Sequence, residues 1–188
     1  MKAIFPIFLF SIFIFAACQS SSEKQSKKTA LRERITSYED SLLELQKDPQ
    51  TAAKITSLAQ IELVNRLTAY SRAFPKDPYS ASCLFKTHMI YEQLRAPLQA
   101  RAYADTLLAD FPNYKNRALI YESLASSYDI NEPRDTAKVR YYFNLLLDEP
   151  GLTTQKKKDI KKRLAHLELS FEEYILNSEP GFLVGQGN

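Results

Sequence analysis

No glycine precedes Gly151 in this 188-residue chain, and prolines punctuate the stretch between Pro49 and Pro150 at intervals. A chain without glycine has few places where it can adopt the left-handed conformations of tight turns. Between the prolines, apolar residues recur at spacings of three and four, the period of a helix buried on one face. Helices are expected at about 31–47, 51–73, 79–94, 97–110, 115–129, 135–147 and 153–176. Pro97 suits a first helical turn, where a missing N–H costs nothing. The segment FPKDP at 74–78 stops one helix and primes the next. No alternating strand pattern occurs, so the expected fold class is all-α.

The amino-terminal residues stand apart from this pattern. Lys2 precedes an apolar stretch, Ala3 to Ala17, whose length falls short of the roughly 20 residues that cross a bilayer. Small Ala16 and Ala17 close it, so 1–17 is expected to be a signal peptide. Residues 19–30, QSSSEKQSKKTA, carry no large apolar side chain; with Cys18 they are expected to form a flexible tether over 18–30. One helical domain is expected over 31–176. A flexible tail follows at 177–188, which holds three of the four glycines. Net charge is +3, too mild for a nucleic-acid-binding face. The two cysteines are Cys18 and Cys83; if the first is used at the mature terminus, the second has no partner and reads as a buried apolar residue.

The segment Phe15-Ala16-Ala17-Cys18 resembles the lipobox of bacterial lipoprotein precursors, with Phe15 where that motif usually has an aliphatic residue. The resemblance implies that the Cys18 thiol takes a diacylglyceryl group, that cleavage precedes it, and that the new terminus is acylated. Two or three acyl chains, at about 0.8 kcal/mol per buried methylene, would hold the chain on a membrane. Gln19 stands where many inner-membrane lipoproteins of Gram-negative cells have Asp. The implied location is therefore the outer membrane, facing the periplasm. The alternative is an ordinary secretory signal beside a chance cysteine.

A longer period runs through the helices. Phe74-Pro75 returns as Phe111-Pro112 after 37 residues, Pro150 follows Pro112 after 38, and Tyr91 returns as Tyr128 after 37. Periods of this size mark stacked helical hairpins. Tyr121, Leu124, Ala125, Tyr128, Ala137, Tyr141 and Pro150 resemble the tetratricopeptide repeat, and Leu84, Tyr91, Ala100, Ala104 and Pro112 form a looser copy. In this reading Ala125 and Ala137 let two helices approach while Tyr121, Tyr128 and Tyr141 fill the wedge around them. The chain is thus similar to tetratricopeptide-repeat lipoproteins of bacterial envelopes, including that of the outer-membrane β-barrel assembly machine. The resemblance implies a short right-handed solenoid; the alternative is a generic helical bundle. Ile160, Leu164, Leu167, Phe171 and Tyr174 form one stripe on the last helix, which is expected to cap the open end.

The sequence offers little for catalysis. His88 and His166 lie on separate expected helices, Cys83 and His88 share a face poorly, and His88 with Glu92 is an ordinary i,i+4 pair. Phosphate loops, serine elbows and metal-ligand spacings are not found. The expectation is therefore no enzyme, no cofactor and no metal.

What remains are binding surfaces. Tetratricopeptide repeats bind peptides in a groove lined by their first helices, and the resemblance places Phe85, Met89, Glu92, Glu122, Ser126 and Asp129 there. An apolar pair beside acidic groups would suit a partner segment with an apolar anchor and a basic flank. The run KKKDIKKR contributes Lys157, Lys158, Lys161 and Lys162, either as a solvated face or as a contact for anionic lipid or an acidic partner. The expected function is that of a membrane-anchored adaptor for envelope protein partners. A binder of a small ligand or cell-wall material in an interhelical pocket is the alternative, and an unrecognised hydrolase the third reading.

Overall fold

The structure, a computed structural model, describes the backbone of 11–52 and 56–178 and the side chains of 22–48, 50–52 and 56–177. Nine helices and no strand are found among the described residues. They are α1 (Ser11–Gln46), α2 (Pro49–Ala52), α3 (Ser57–Ala73), α4 (Pro78–Gln93), α5 (Pro97–Asp110), α6 (Arg117–Ile130), α7 (Thr136–Leu147), α8 (Thr154–Ala165) and α9 (Phe171–Ser178). Helices α4 to α7 match the sequence expectation to within two residues at each end. The chain divides into two compact units, Met1–Ile90 and Tyr91–Asn188, and the division falls inside α4.

The periodic Phe-Pro pairs are helix stops of one kind. Proline disfavours the helical region for the residue before it. Phe74 accordingly takes φ −135° and ψ 60°, and Phe111 takes φ −135° and ψ 64°. Each donates its N–H four residues back, to Tyr70 O at 2.9 Å and to Leu107 O at 2.8 Å. The chain then turns in the same way twice: Asp77 N–H reaches Phe74 O at 3.0 Å, and Tyr114 N–H reaches Phe111 O at 2.9 Å. Pro150 does not repeat this geometry. There α7 ends on Asp148 in a helical conformation, and Gly151 supplies a φ of 90°.

In the first unit α1 packs along α3. Ile35, Val64, Leu67 and Tyr70 are buried, as are Ala81, Cys83 and Leu84 of α4. Full burial of a side chain the size of Ile35 or Leu67 contributes roughly 1.5–3 kcal/mol. Polar links fix the register: Tyr38 donates to Ala59 O at 3.2 Å, Arg66 to Arg34 O at 3.0 Å, and Lys86 pairs with Glu39 at 2.5 Å.

Two expectations change here. The segment 19–30 is not a loose tether but part of α1, which begins at Ser11. Its Glu, Lys, Gln and Ala residues are good helix formers with no Gly or Pro among them, and extending an existing helix needs no new nucleation. Lys28 also pairs with Asp77, which ties this segment to the loop before α4. The expected helix at 51–73 is instead two, because Thr56 restarts α3 as its N-cap, accepting from Ala59 N–H at 3.3 Å. The expected signal peptide lies outside the described residues at 1–10, and the expected tail does so at 179–188.

The second unit is built on the hairpin of α6 and α7, joined by α5 against α6 and α8 against α7. Ala100, Ala104, Leu107, Ile120, Leu124, Ala125, Val139 and Leu146 form its core. Ala125 is buried as expected, but Ala137 is exposed and Tyr141 is 55% exposed. The buried stripe of α7 is Val139, Tyr142, Phe143 and Leu146, one position on from the repeat register. Tyr142 therefore fills the place expected for Tyr141. It stacks on Tyr128 with ring centroids 6.0 Å apart and donates its hydroxyl to Asp105 at 3.0 Å.

The expected single helix at 153–176 is broken into α8 and α9. Ser170 opens α9 with a capping box: its Oγ accepts Glu173 N–H at 3.1 Å, and Glu173 accepts Ser170 N–H at 2.7 Å. In the turn between them Leu167 is buried. Arg163 and Arg134 take up its carbonyls: Arg163 donates to His166 O and Leu169 O, and Arg134 to Leu167 O and Leu169 O.

Candidate interaction surfaces

The six residues expected to line a groove fall in both units. Phe85 is half-buried and Met89 is 38% exposed, both in Met1–Ile90. Glu92, Glu122, Ser126 and Asp129 belong to Tyr91–Asn188. Glu122, Ser126 and Asp129 are spaced four and three apart, so they share one side of α6. They line a cavity of about 240 Å³ together with Lys156, Asp159, Ile160 and Arg163 of α8 and Phe171 and Tyr174 of α9; Ile130 and Phe143 complete it. Glu92 lies elsewhere. Burial raises its carboxyl pKa above the usual range, Arg101 only partly offsetting this, and its Oε1 has no hydrogen-bond partner.

The cavity is apolar below and charged at the side. Ile160 is buried and Phe143 is 9% exposed, while Phe171 and Tyr174 are half-buried. The carboxylates of this wall are engaged. Glu122 pairs with Lys156, and Asp159 accepts from Gln155 at 2.7 Å. Asp129, expected to line the groove, is buried and ion-paired within the unit. Its carboxylate accepts Arg163 at 2.6 and 2.7 Å and Arg134 at 2.9 and 3.1 Å. Arg163 also lies over the Tyr174 ring at 4.8 Å, so one guanidinium joins α6, the turn and α9. At 240 Å³ the space is below the roughly 300–1,000 Å³ of small-molecule sites, and suits one or two apolar side chains.

The basic run on α8 separates into two roles. Lys156 and Arg163 form the ion pairs just described. Lys157, Lys158, Lys161 and Lys162 are all exposed, and only Lys162 approaches an aromatic ring, that of Tyr174 at 5.9 Å. The four therefore form a cationic outer face on α8. A second hollow, of about 600 Å³, lies between α5 and the start of α7, lined by Leu98, Arg101, Asp105, Tyr128 and Pro133 among others. Its charged groups are engaged too: Arg101 lies 4.0 Å from the Tyr128 ring centroid and donates to Ser127, and Asp105 accepts from Tyr142.

Cys18 falls within α1, and its side chain lies outside the described residues. Cys83 is buried without a disulfide, and burial pushes its thiol up to about 12. Such a thiol carries almost no thiolate near neutral pH. Among the described residues no helix is long and apolar enough to cross a membrane, and no group of three or more His, Cys, Asp or Glu side chains could hold a metal ion.

Sequence reasoning missed Lys156, Phe143 and Arg163 as parts of the α6–α8 site, although the capping box at Ser170 and Glu173 was a readable signal for the break that brings α9 over it. No family model, curated protein or solved structure matches the chain.

Proposed function

We propose that this chain is a bacterial envelope lipoprotein, held on the outer membrane through Cys18, whose helical domain is a periplasm-facing protein-interaction adaptor with no reaction of its own. Its architecture is best read as a short right-handed solenoid of the tetratricopeptide type. The duplicated helix stops at Phe74 and Phe111 support that reading. The displaced register of α7 marks the second hairpin as divergent from the motif.

The observation that carries the adaptor reading is the cavity between α6, α8 and α9, lined in part by the apolar Phe143, Ile160 and Phe171. Its size and its paired charges suit the anchoring side chain of a bound peptide or helix. Half-buried Ser126 lines it without entering an ion pair. A photo-crosslinking amino acid at Ser126 of the full chain should capture a protein partner in cells, while the same probe at exposed Arg72 should not. Equal crosslinking from both positions, or none from either, overturns the adaptor. The anchor is read separately: wild-type protein should carry a lipid mass shift that Cys18→Ser abolishes.

The 600 Å³ hollow beside α5 favours the second reading, a small ligand, because it lies within the size range of such sites. Native mass spectrometry of the full chain would show a co-purifying small molecule in that case.

A further inference from the structure

The cavity between α6, α8 and α9 has an apolar side open to solvent, and the residues that follow α9 are suited to it. Ile130 lines the cavity while 55% exposed, and Phe171 and Tyr174 line it half-buried. Helix α9 ends at Ser178, and positions 171, 174 and 178 fall on one side of it. The chain therefore leaves α9 on the side that borders the cavity. The next residues are Glu179-Pro180-Gly181-Phe182-Leu183-Val184. Pro followed by Gly is the favoured central pair of a type II turn, which reverses the chain. Three apolar residues come directly after that pair. Glu179 is the one charged side chain in 179–188.

We propose that Phe182 and Leu183 are the resident occupants of this cavity, and that a partner's anchoring side chain must displace them. The contact rests on the geometry of the second unit, and its regulatory sense rests on the adaptor reading. Tyr174 lies four residues before Ser178, about 6 Å along the helix. Phe182 lies four residues after Ser178, a reach of up to about 14 Å. The reach exceeds the distance back, so a turn at Pro180-Gly181 sets Phe182 beside Tyr174. A cavity of about 240 Å³ has room for one or two such side chains. The charges agree as well. Lys162 lies 5.9 Å from the Tyr174 ring and has no carboxylate partner among the described residues, so Glu179 meets a free counter-charge. Glu122 and Asp129 are already paired and do not oppose an apolar segment. A segment tethered this closely competes at an effective concentration on the order of millimolar.

The test uses the full chain, purified and dilute, with a photo-crosslinking phenylalanine analogue at position 182. Peptide mapping by mass spectrometry should place its crosslinks within one chain, on Phe143 of α7 and Ile160 of α8. These are 9% and 3% exposed, so a tail hanging free from α9 does not reach them. In cells, Phe182→Asp should raise partner capture by the probe at Ser126 by up to about tenfold, the gain when a site about nine-tenths occupied is freed. Crosslinks confined to α9 or to other molecules overturn the proposal, as does equal, non-zero capture by the two chains. Capture from Ser126 without the internal crosslinks removes the tail and keeps the adaptor. Internal crosslinks with no partner captured by either chain remove the adaptor and keep the tail in its cavity.

Discussion

Replacing Asp129 by alanine tests what holds α8 and α9 to the rest of the second unit. The Asp129 carboxylate is 4% exposed and accepts four guanidinium N–H bonds of 2.6–3.1 Å. Arg163 is 5% exposed. Truncation leaves that cation desolvated, with only the carbonyls of His166 and Leu169 as acceptors. Arg134 is more open and regains water, so most of the loss sits with Arg163. Removing one partner of a buried ion pair costs about 3–5 kcal/mol, because the orphaned charge remains buried. In a chain of this size such a loss lowers Tm on the order of 10 °C. Circular dichroism of thermal and urea unfolding measures it, and amide exchange in α8 and α9 locates it. The double variant Asp129→Ala with Arg163→Met removes the charge along with its partner and should recover part of the loss. A loss below about 1 kcal/mol, the scale of a surface pair, would refute the reasoning. So would a double variant less stable than the single one.

Glu92→Gln should stabilise the chain slightly at neutral pH, since it removes a half-buried charge whose Oε1 has no partner, an effect that solvent screening keeps small. Burial raises the Glu92 pKa, so the wild-type penalty is full above its folded value and fades as pH falls toward the unfolded value near 4.3; urea unfolding at several pH values should show this slope vanish in the variant. Asp77 behaves oppositely. Burial alone would raise its pKa, but the bonds from Lys28, the Tyr79 N–H and the Tyr70 hydroxyl hold it below the usual value. Its contribution is therefore present above the unfolded value near 3.9 and lost as pH falls through the lower folded value, and Asp77→Asn should flatten acid unfolding in that window. Ser170→Ala removes the N-cap of α9 and should cost about 1 kcal/mol, read as faster amide exchange confined to Phe171–Ser178; unchanged exchange there would show that the cap does not hold this helix.

Local signals made much of the fold legible. The Phe-Pro stops and Pro97 are read from neighbouring residues alone, and α4 to α7 follow from them. Three features depended on groups distant in sequence. The helical character of 19–30 was hidden because the segment has no apolar stripe; its contact is a polar one, Lys28 with Asp77, 49 residues away. The register of α7 was obscured by the adjacent Tyr141 and Tyr142, between which spacing alone cannot choose; the Tyr128 ring and Asp105 decide for Tyr142. The bonds that hold Asp129 could not be read from its neighbours, because Arg134 and Arg163 lie 5 and 34 residues downstream. Charge in KKKDIKKR looks uniform in the sequence, whereas packing divides it into inward Lys156 and Arg163 and four outward lysines.

The continuity of α1 from Ser11 to Gln46 has a consequence for how the chain tolerates changes in length. A flexible leash of 12 residues can gain or lose one without altering what its far end presents. A helix cannot, since each added residue turns everything beyond it by about 100° and advances it by 1.5 Å. One residue inserted near Ser20 would swing the Lys24–Lys28 face well off its bearing relative to Cys18. Seven would bring it back to within about 20° while moving it some 10 Å outward. Orientation and distance could then be varied separately in this segment by counting residues, with helical phase governing one and length the other.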